Sequence, residues 1–458
     1  MSLLRRLASV ATAVAAFAAT PAQAACAPGT ACYELCPQVN EEQYYAAAAA
    51  GLRFLFNGEG SWLFATELDL RQDFRLDAGA LRDMTRLARA FRKVGTQVVV
   101  VYLPPRGLMH HDRFRHPGYD PRAALATYRT ALAQLRAAGY VVPDLSRLIP
   151  DREGNFFQRR DHHWQTAGAR RTAQVVAEAV RGLPVYAGLT RSSFRTERTG
   201  ITGKYGTLAT VAGRICDSRF PRQYFETWTT LGGASDEAAL FGDDGPGAAE
   251  VVLIGTSNSK GKIDYNFAGF LQSELGVAVE NRALRGGGYN GALEQLLIEG
   301  KFAQQPPKVL IWELPSQYDL DIPLFYRQAV PMLAGACRGK PLIRGRAAVS
   351  SEAFEDVLNN GRGGVIAPLA AGRSVIKLRF SDPSVQAFFL DVTYMSADHE
   401  QVKVERHPYV KHDGTFLVEL PDTGPFAGAT LFSAAVRLAR APLQDVFVDA
   451  EACAYESP

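Results

Sequence analysis

From about residue 75 the apolar positions alternate between two periods. "LRDMTRLARAFRKVG" (81–95) is apolar at helical spacing and stops at Gly95. "TQVVVVYLPP" (96–105) follows as a continuous apolar run, the pattern of a strand covered on both faces of a parallel sheet. "PRAALATYRTALAQLRAAG" (121–139) predicts a second helix, "YVVPDL" (140–145) a strand, and "TAGARRTAQVVAEAVRG" (166–182) a third helix. Later come "AEVVLIGTS" (strand), "FAGFLQSELG" (helix), "VAVENRAL" (strand), "GALEQLLIEG" (helix) and "PPKVLIWELP" (strand). This succession with short connections predicts an α/β domain with a mainly parallel sheet. The segment 187–245 is Gly/Thr-rich and reads as an irregular insertion. After about residue 335 the pattern becomes short strands: "SVIKLRF", "QAFFLDVTYM", "QVKVERHPYV", "GTFLVELP", "ATLFSAAVRLA" and "DVFVDAEACAY". That grammar predicts a separate C-terminal antiparallel β-sandwich over 336–458.

Composition adds compartment. The chain has 458 residues, 47% apolar and 21% charged, with formal net charge +3. A balance so near neutral, without a long Lys/Arg run, argues against a nucleic-acid binder. The N-terminus has Arg5 and Arg6, an apolar stretch from Leu7 to Ala19, and Ala22-Gln23-Ala24. That is the layout of a secretory signal peptide over 1–24, leaving an α/β domain over 25–335. The apolar run is shorter than a bilayer span of ~20 residues, and no other run is long enough, so no membrane span is expected. A lipid anchor at Cys26 is a minor alternative. The expected location is a bacterial periplasm.

All six cysteines follow the cleavage point: Cys26, Cys32, Cys36, Cys216, Cys337 and Cys453. An even number in an exported chain, without C-x-x-C spacing, favours disulfides over metal. Cys337 and Cys453 bracket the sandwich and are expected to pair. Cys216 then pairs with one of the N-terminal three, with Cys36 as the choice.

Three strand ends carry candidate chemistry, and in open α/β sheets sites form beyond such ends. In "VVLIGTSNSKGK", Ser257 follows a strand and a Gly-Thr turn. It reads as a nucleophile or, more plainly, as a helix N-cap. A phosphate-binding loop fails, because five residues separate Gly255 from Gly261-Lys262 and Ile263 stands where Ser or Thr is required. In "NRALRGGGYNGAL", Gly286 to Gly288 and Asn290 offer donors for an oxyanion, or simply make a tight turn. In "RRDHHWQTAG", Asp161 and His163 are one residue apart, so the carboxylate can orient the ring as general base. His162 is poorly placed for that contact. A zinc site is disfavoured: adjacent histidines do not easily share an ion, and no further cluster supports them. No metal or cofactor is expected. Serine, oxyanion loop and Asp-x-His turn together make an acyl-transfer constellation.

On these residues the chain resembles the SGNH-hydrolase superfamily and, within it, the periplasmic alginate O-acetyltransferases of the AlgX and AlgJ type. The motifs are "WLF" at Trp62, "PPRG" at Pro104, "DHHW" at Asp161, "GTSNS" at Gly255, "GGGYN" at Gly286 and "IWELPSQY" at Ile311. The resemblance implies Ser257 as nucleophile, His163 as base, Asp161 as its partner, and an oxyanion hole from the glycine-rich loop (Gly288, Asn290) with the Ser257 N–H. It implies Arg106 and Tyr318 beside the cleft, binding acetylated donor or sugar. The C-terminal domain resembles the carbohydrate-binding module of the AlgX type.

Three positions depart from the family pattern. Gln165 separates Trp164 from Thr166, Asn258 stands where an aromatic residue is common and is expected to alter acceptor choice, and no tryptophan lies in the C-terminal domain. A sugar platform there has to use Tyr394, Tyr409 or phenylalanines with Lys403, Arg406 and Lys411, a composition suited to an anionic polysaccharide. The implied activity is O-acetylation of an exopolysaccharide, alginate mannuronate first. Its partners would be the polymer, an acetyl donor and other secretion and acetylation proteins. An acetylesterase, or a non-catalytic polysaccharide-binding scaffold, remains open at this point.

Overall fold

The computed structural model describes residues 33–232, 249–261 and 265–456. The signal peptide, Cys26 and Cys32 lie outside the described residues. A short hairpin pairs β1 (Leu55–Asn57) with β2 (Leu63–Ala65). The central sheet contains β3 (Gln97–Leu103), β6 (Val251–Ile254), β7 (Glu280–Asn281) and β8 (Val309–Pro315) in the order β3-β8-β6-β7, all parallel. Each long apolar run alternates its side chains between two cores. Val98, Val100, Tyr102, Val252, Ile254, Leu310, Trp312 and Leu314 pack with helices Ala78–Lys93, Pro121–Ala137, Gly291–Ile298 and Pro323–Leu333. Val99, Val101, Leu103, Val251, Leu253, Val309 and Ile311 face helices Thr166–Arg181 and Phe267–Leu275. Both faces are covered, which is why these strands are apolar throughout rather than alternating.

Local signals set the boundaries. Asp77 caps helix Ala78–Lys93 by accepting from the Ala80 N–H at 2.7 Å, and Gly95 ends it at φ +81°. Two expected strands are reduced. "YVVPDL" makes a single bridge, Val99 to Val141, and "VAVENRAL" pairs with β6 only through Glu280 and Asn281, with one further bridge from Val277 to Arg191. The segment expected to be irregular contains an antiparallel ribbon of β4 (Arg195–Lys204) and β5 (Gln223–Leu231), with helix Thr207–Cys216 between them. Its exposed, polar composition hides the pairing, because neither face carries a continuous apolar row.

The C-terminal domain is two antiparallel four-stranded sheets. One has the order β10-β15-β12-β13 and the other β14-β11-β16-β9. Their ranges are β9 Ile343–Val349, β10 Glu355–Asn359, β11 Ser374–Phe380, β12 Ala387–Tyr394, β13 His399–Glu405, β14 Thr415–Glu419, β15 Leu431–Leu438 and β16 Val446–Ala454. β9 and β10 add to the six strands read from the sequence. Disulfides join Cys36 to Cys216 and Cys337 to Cys453. The first ties the N-terminal segment to helix Thr207–Cys216, and the second closes the sandwich onto the preceding helix. The domains also meet through Arg327, whose guanidinium donates to both Glu400 oxygens at 2.7 and 2.8 Å. Among the described residues no helix is long and apolar enough to cross a membrane.

Candidate active site

The Ser257 turn leaves the end of β6. Thr256, not Ser257, is the N-cap of the one-turn helix Ser257–Lys260, its hydroxyl accepting the Asn258 N–H at 3.2 Å. The plain alternative for Ser257 therefore falls to its neighbour, and the half-buried Ser257 hydroxyl is left for another partner. That partner is His163, whose Nε2 lies 2.8 Å from Ser257 Oγ. His163 Nδ1 lies 2.6 Å from Asp161 Oδ1. With Nδ1–H donated to Asp161, Nε2 is the acceptor for the serine proton.

Asp161 is held from several sides. Oδ1 also accepts the His163 N–H at 3.0 Å, and Oδ2 accepts the Thr207 N–H at 3.0 Å. Burial alone would raise this carboxyl, but hydrogen bonding to His163 and the neighbouring histidine charges hold it well below the ordinary carboxylate range. His162 takes a separate role. Its Nδ1 lies 2.7 Å from Thr207 Oγ1, and burial followed by the neighbouring His163 pushes its pKa down to about 3. Donor atoms of Asp161, His162 and His163 lie within 4.8 Å of one another, the spacing of a metal cluster. Both ring nitrogens of His163 are already hydrogen-bonded, however, and a third residue would have to turn away from Thr207 to complete such a set.

Three side chains that sequence reasoning did not assign build this geometry. Glu313 lies within β8, fully buried, and accepts from Thr256 N (2.7 Å), Thr256 Oγ1 (2.9 Å), Ser259 Oγ (3.1 Å) and Asn258 Nδ2 (3.3 Å). Burial raises its pKa against these donors. A Cβ on Gly255 would come within 2.6 Å of the Glu313 carboxylate, so glycine there is what admits the acid. Thr207 gives its backbone N–H to Asp161 and sets its hydroxyl against His162 Nδ1. Tyr265 stacks near-parallel to His163, ring centroids 5.6 Å apart. Thr207 and Tyr265 carry no sequence signal, while the "IWELPSQY" motif drew attention to Glu313 without revealing its role.

Two departures gain structural reasons. Asn258 is buried, and its Oδ1 and carbonyl O accept from the Trp164 N–H (3.4 Å) and indole Nε1–H (3.1 Å). It welds the histidine turn to the serine turn. Gln165 is the N-cap residue of helix Thr166–Arg181. Its amide donates to Phe157 O at 3.1 Å, and Thr166 Oγ1 donates to Glu226 O at 2.6 Å.

The glycine-rich loop lies beside the Ser257 turn. The Leu284 N–H donates to Gly255 O at 3.0 Å, and Trp312 Nε1–H donates to Tyr289 O at 3.1 Å. Gly286 and Gly288 take φ of +73° and +61°. The Asn290 side chain donates to Glu294 Oε1 at 2.8 Å, so the amide expected to serve the oxyanion is anchored to the following helix. Tyr318 is half-buried, its ring centroid 5.7 Å from that of Tyr289 in this loop.

The expectations for Arg106, Tyr394 and Arg406 are corrected, while that for Lys403 is not. Arg106 is only 1% exposed, so it does not touch substrate. Its guanidinium donates to Asp69 Oδ2 (3.2 Å), Leu63 O (3.0 Å) and Arg159 O (3.1 Å), making it a strut between the β2 hairpin and the histidine segment. Tyr394 is 1% exposed and belongs to the sandwich core, its ring against Phe426. Arg406 is buried over the Phe416 ring at 3.9 Å. Lys403 is exposed and pairs with Glu405 at 2.5 Å. Of the aromatic candidates, Tyr409, Phe432 and Phe447 are exposed, and Tyr409 covers Gly286 of the glycine-rich loop.

Comparison with known proteins gives concordant matches. Residues 55–316 match the family described as SGNH hydrolase-like domain, acetyltransferase AlgX, and residues 336–458 match a C-terminal carbohydrate-binding module. The alginate biosynthesis protein AlgX of Pseudomonas syringae pv. tomato is 35% identical over 99% of this chain and 95% of its own length. The Pseudomonas aeruginosa protein named "Probable alginate O-acetylase AlgJ" is 27% identical over 57% of this chain and 69% of its own. The solved structure of Pseudomonas aeruginosa AlgX superposes with a TM-score of 0.81 at 30% identity, covering 92% of this chain and all of that one.

Proposed function

The chain belongs to the AlgX family of SGNH hydrolase-like proteins, and on that premise we propose that it is a periplasmic polysaccharide O-acetyltransferase acting on mannuronate hydroxyls of alginate. The observation that carries this reading is the contact chain Asp161–His163–Ser257, at 2.6 and 2.8 Å, with the serine accessible. Ser257 Oγ attacks the acetyl carbonyl of the donor while His163 Nε2 takes its proton. Asp161 orients the imidazole and stabilises the imidazolium. Backbone donors at Ser257 and around Gly288 would receive the oxyanion. Collapse of the tetrahedral intermediate expels the donor oxygen, which takes the proton from His163. A polymer hydroxyl, deprotonated by the same imidazole, then attacks the acyl-enzyme. The products are the acetylated sugar and free Ser257.

The disulfides and the alginate relatives support export, and the module over 336–458 supports polysaccharide binding. The test mixes the purified mature chain with an acetyl-ester donor, with and without oligomannuronate. Acetylated oligomannuronate detected by mass spectrometry is the expected result. Acetate release that ignores the sugar would make the protein an esterase, and a Ser257→Ala chain with full activity would remove the acyl-enzyme mechanism.

A further inference from the structure

The connection between β13 and β14, residues 406–414, reaches out of the C-terminal module onto the glycine-rich loop and the helix that follows it. The Lys411 N–H donates to Gln295 Oε1 at 2.7 Å, and Gln295 Nε2 donates back to Lys411 O at 3.2 Å. Val410 is buried, and a Cβ on Gly291 would meet its Cγ2 at 3.7 Å. His407 shapes the turn: its carbonyl accepts the Val410 N–H at 2.9 Å, and its Nδ1 accepts the Tyr409 N–H at 3.3 Å. Tyr409 is thereby set on Gly286, where a Cβ would come within 2.6 Å of Tyr409 Cε2. Glycine is required at 286 twice over, for this close approach and for φ of +73°.

The loop beneath Tyr409 is one that needs restraint. It holds three consecutive glycines, 286–288, and glycine loses more backbone freedom on ordering than any other residue. Its inner side is tied to the α/β domain, through the Leu284 N–H on Gly255 O and through Trp312 Nε1–H on Tyr289 O. The Asn290 amide ties its far end to Glu294. The contact on Gly286, between these ties, comes from the other domain. Donors stabilise an oxyanion best when they are already in place as the charge develops. A ring that limits the motion of such a loop therefore contributes before the reaction begins.

We propose that Tyr409 is a positioning residue for acylation of Ser257: its ring, carried on the C-terminal module, holds the glycine-rich loop from outside and keeps the loop's oxyanion donors in place. It acts through the loop and not on the substrate. This rests on the acetyltransferase reading for the reaction, but not for the ordering of the loop. The test uses the full mature chain with p-nitrophenyl acetate as donor and no sugar, so that sugar binding by the module plays no part. In Tyr409→Ala protein the first-turnover release of p-nitrophenolate should slow roughly tenfold, less than the 10²–10³ expected for deleting a donor. The KM for the ester should not change. Tyr409→Phe keeps the ring and should recover the parental rate. Hydrogen–deuterium exchange, which needs no turnover, should show the amides of 284–291 exchanging faster in Tyr409→Ala and at the parental rate in Tyr409→Phe. Tyr409 is 62% exposed, so both variants keep the fold, as a thermal melt will verify. A parental acylation rate in Tyr409→Ala overturns the positioning role, including where only the KM for oligomannuronate rises, which would make the ring a sugar platform. A raised ester KM at an unchanged maximal rate, a Tyr409→Phe chain that stays slow, or unchanged exchange overturns it as well. A parent in which Ser257 is never acetylated removes the acetyltransferase reading and leaves the exchange measurement to judge the hold on the loop.

Discussion

Asp161 and Glu294 are carboxylates of nearly equal exposure, 6% and 8%, at two edges of the same domain. Asp161 accepts three short contacts, from His163 Nδ1, the His163 N–H and the Thr207 N–H. Glu294 accepts one hydrogen bond from the Asn290 amide. Its Oε2 has no hydrogen-bond partner among the described residues, and neither do Nη1 and Nη2 of Arg406 across the domain boundary. Burial pushes Glu294 up to about 7, with the Arg406 charge only partly opposing it, whereas Asp161 is held far below its ordinary range. Desolvation is common to both, so the partners decide the charge state. The consequence is functional. A carboxylate that stays ionised can orient a histidine and stabilise the imidazolium, while one that binds protons near neutrality cannot.

The sharpest way to break this contrast is Asp161→Asn, which keeps the shape but removes the charge and the defined imidazole tautomer. Acetyl transfer to oligomannuronate should fall by roughly 10³–10⁴-fold with the fold retained by circular dichroism. A loss under tenfold would mean that Asp161 does not serve His163. Next is Arg406→Ala, which leaves Glu294 facing an empty, buried space. Destabilisation of about 2–4 kcal/mol is expected in denaturant unfolding, with acceptor KM unchanged. The reverse pattern, normal stability and weaker sugar binding, would restore Arg406 as a sugar ligand.

Glu294→Gln tests the raised pKa. Because the folded value of about 7 exceeds the ordinary 4.5, the fold binds the proton more tightly. That stabilisation is complete below about 4.5 and is lost as pH rises through 7. The variant should therefore gain on the parent between pH 5 and 8, by an amount on the order of 2–3 kcal/mol. Parallel melting curves across that range would refute the assignment. The smallest effect belongs to Lys403→Ala. Its ion pair with Glu405 is exposed, so stability should change by less than about 0.5 kcal/mol, and sugar affinity should be unchanged.

The particular residues show why some features were legible. Ser257, His163 and Asp161 are readable as candidates because acyl transfer would need those side-chain types at strand ends or in a tight turn. Tyr394 could also have been placed correctly. It shares the two-residue period of Phe388, Leu390 and Val392, all inward on β12, and composition drew attention from that pattern. Glu313 was not readable in role, because it depends on β6 and β8 lying side by side with Gly255 next to the acid. The β4–β5 ribbon lacks an apolar face, so its pairing, and with it the position of Thr207, left no periodic trace.

By itself the sequence determined the alternating helices and strands, the change to a β-rich C-terminal region, the expected pairing of four cysteines, and the side chains proposed to react. Those follow from periodicity and side-chain chemistry, which act locally. Only the tertiary structure decided that a serine and a histidine 94 residues apart stand 2.8 Å from each other, that Arg106 and Arg406 are buried, and which of two enclosed carboxylates keeps its charge. Those depend on distances between segments remote in the chain, and hydrogen bonding and desolvation change steeply over a few ångströms.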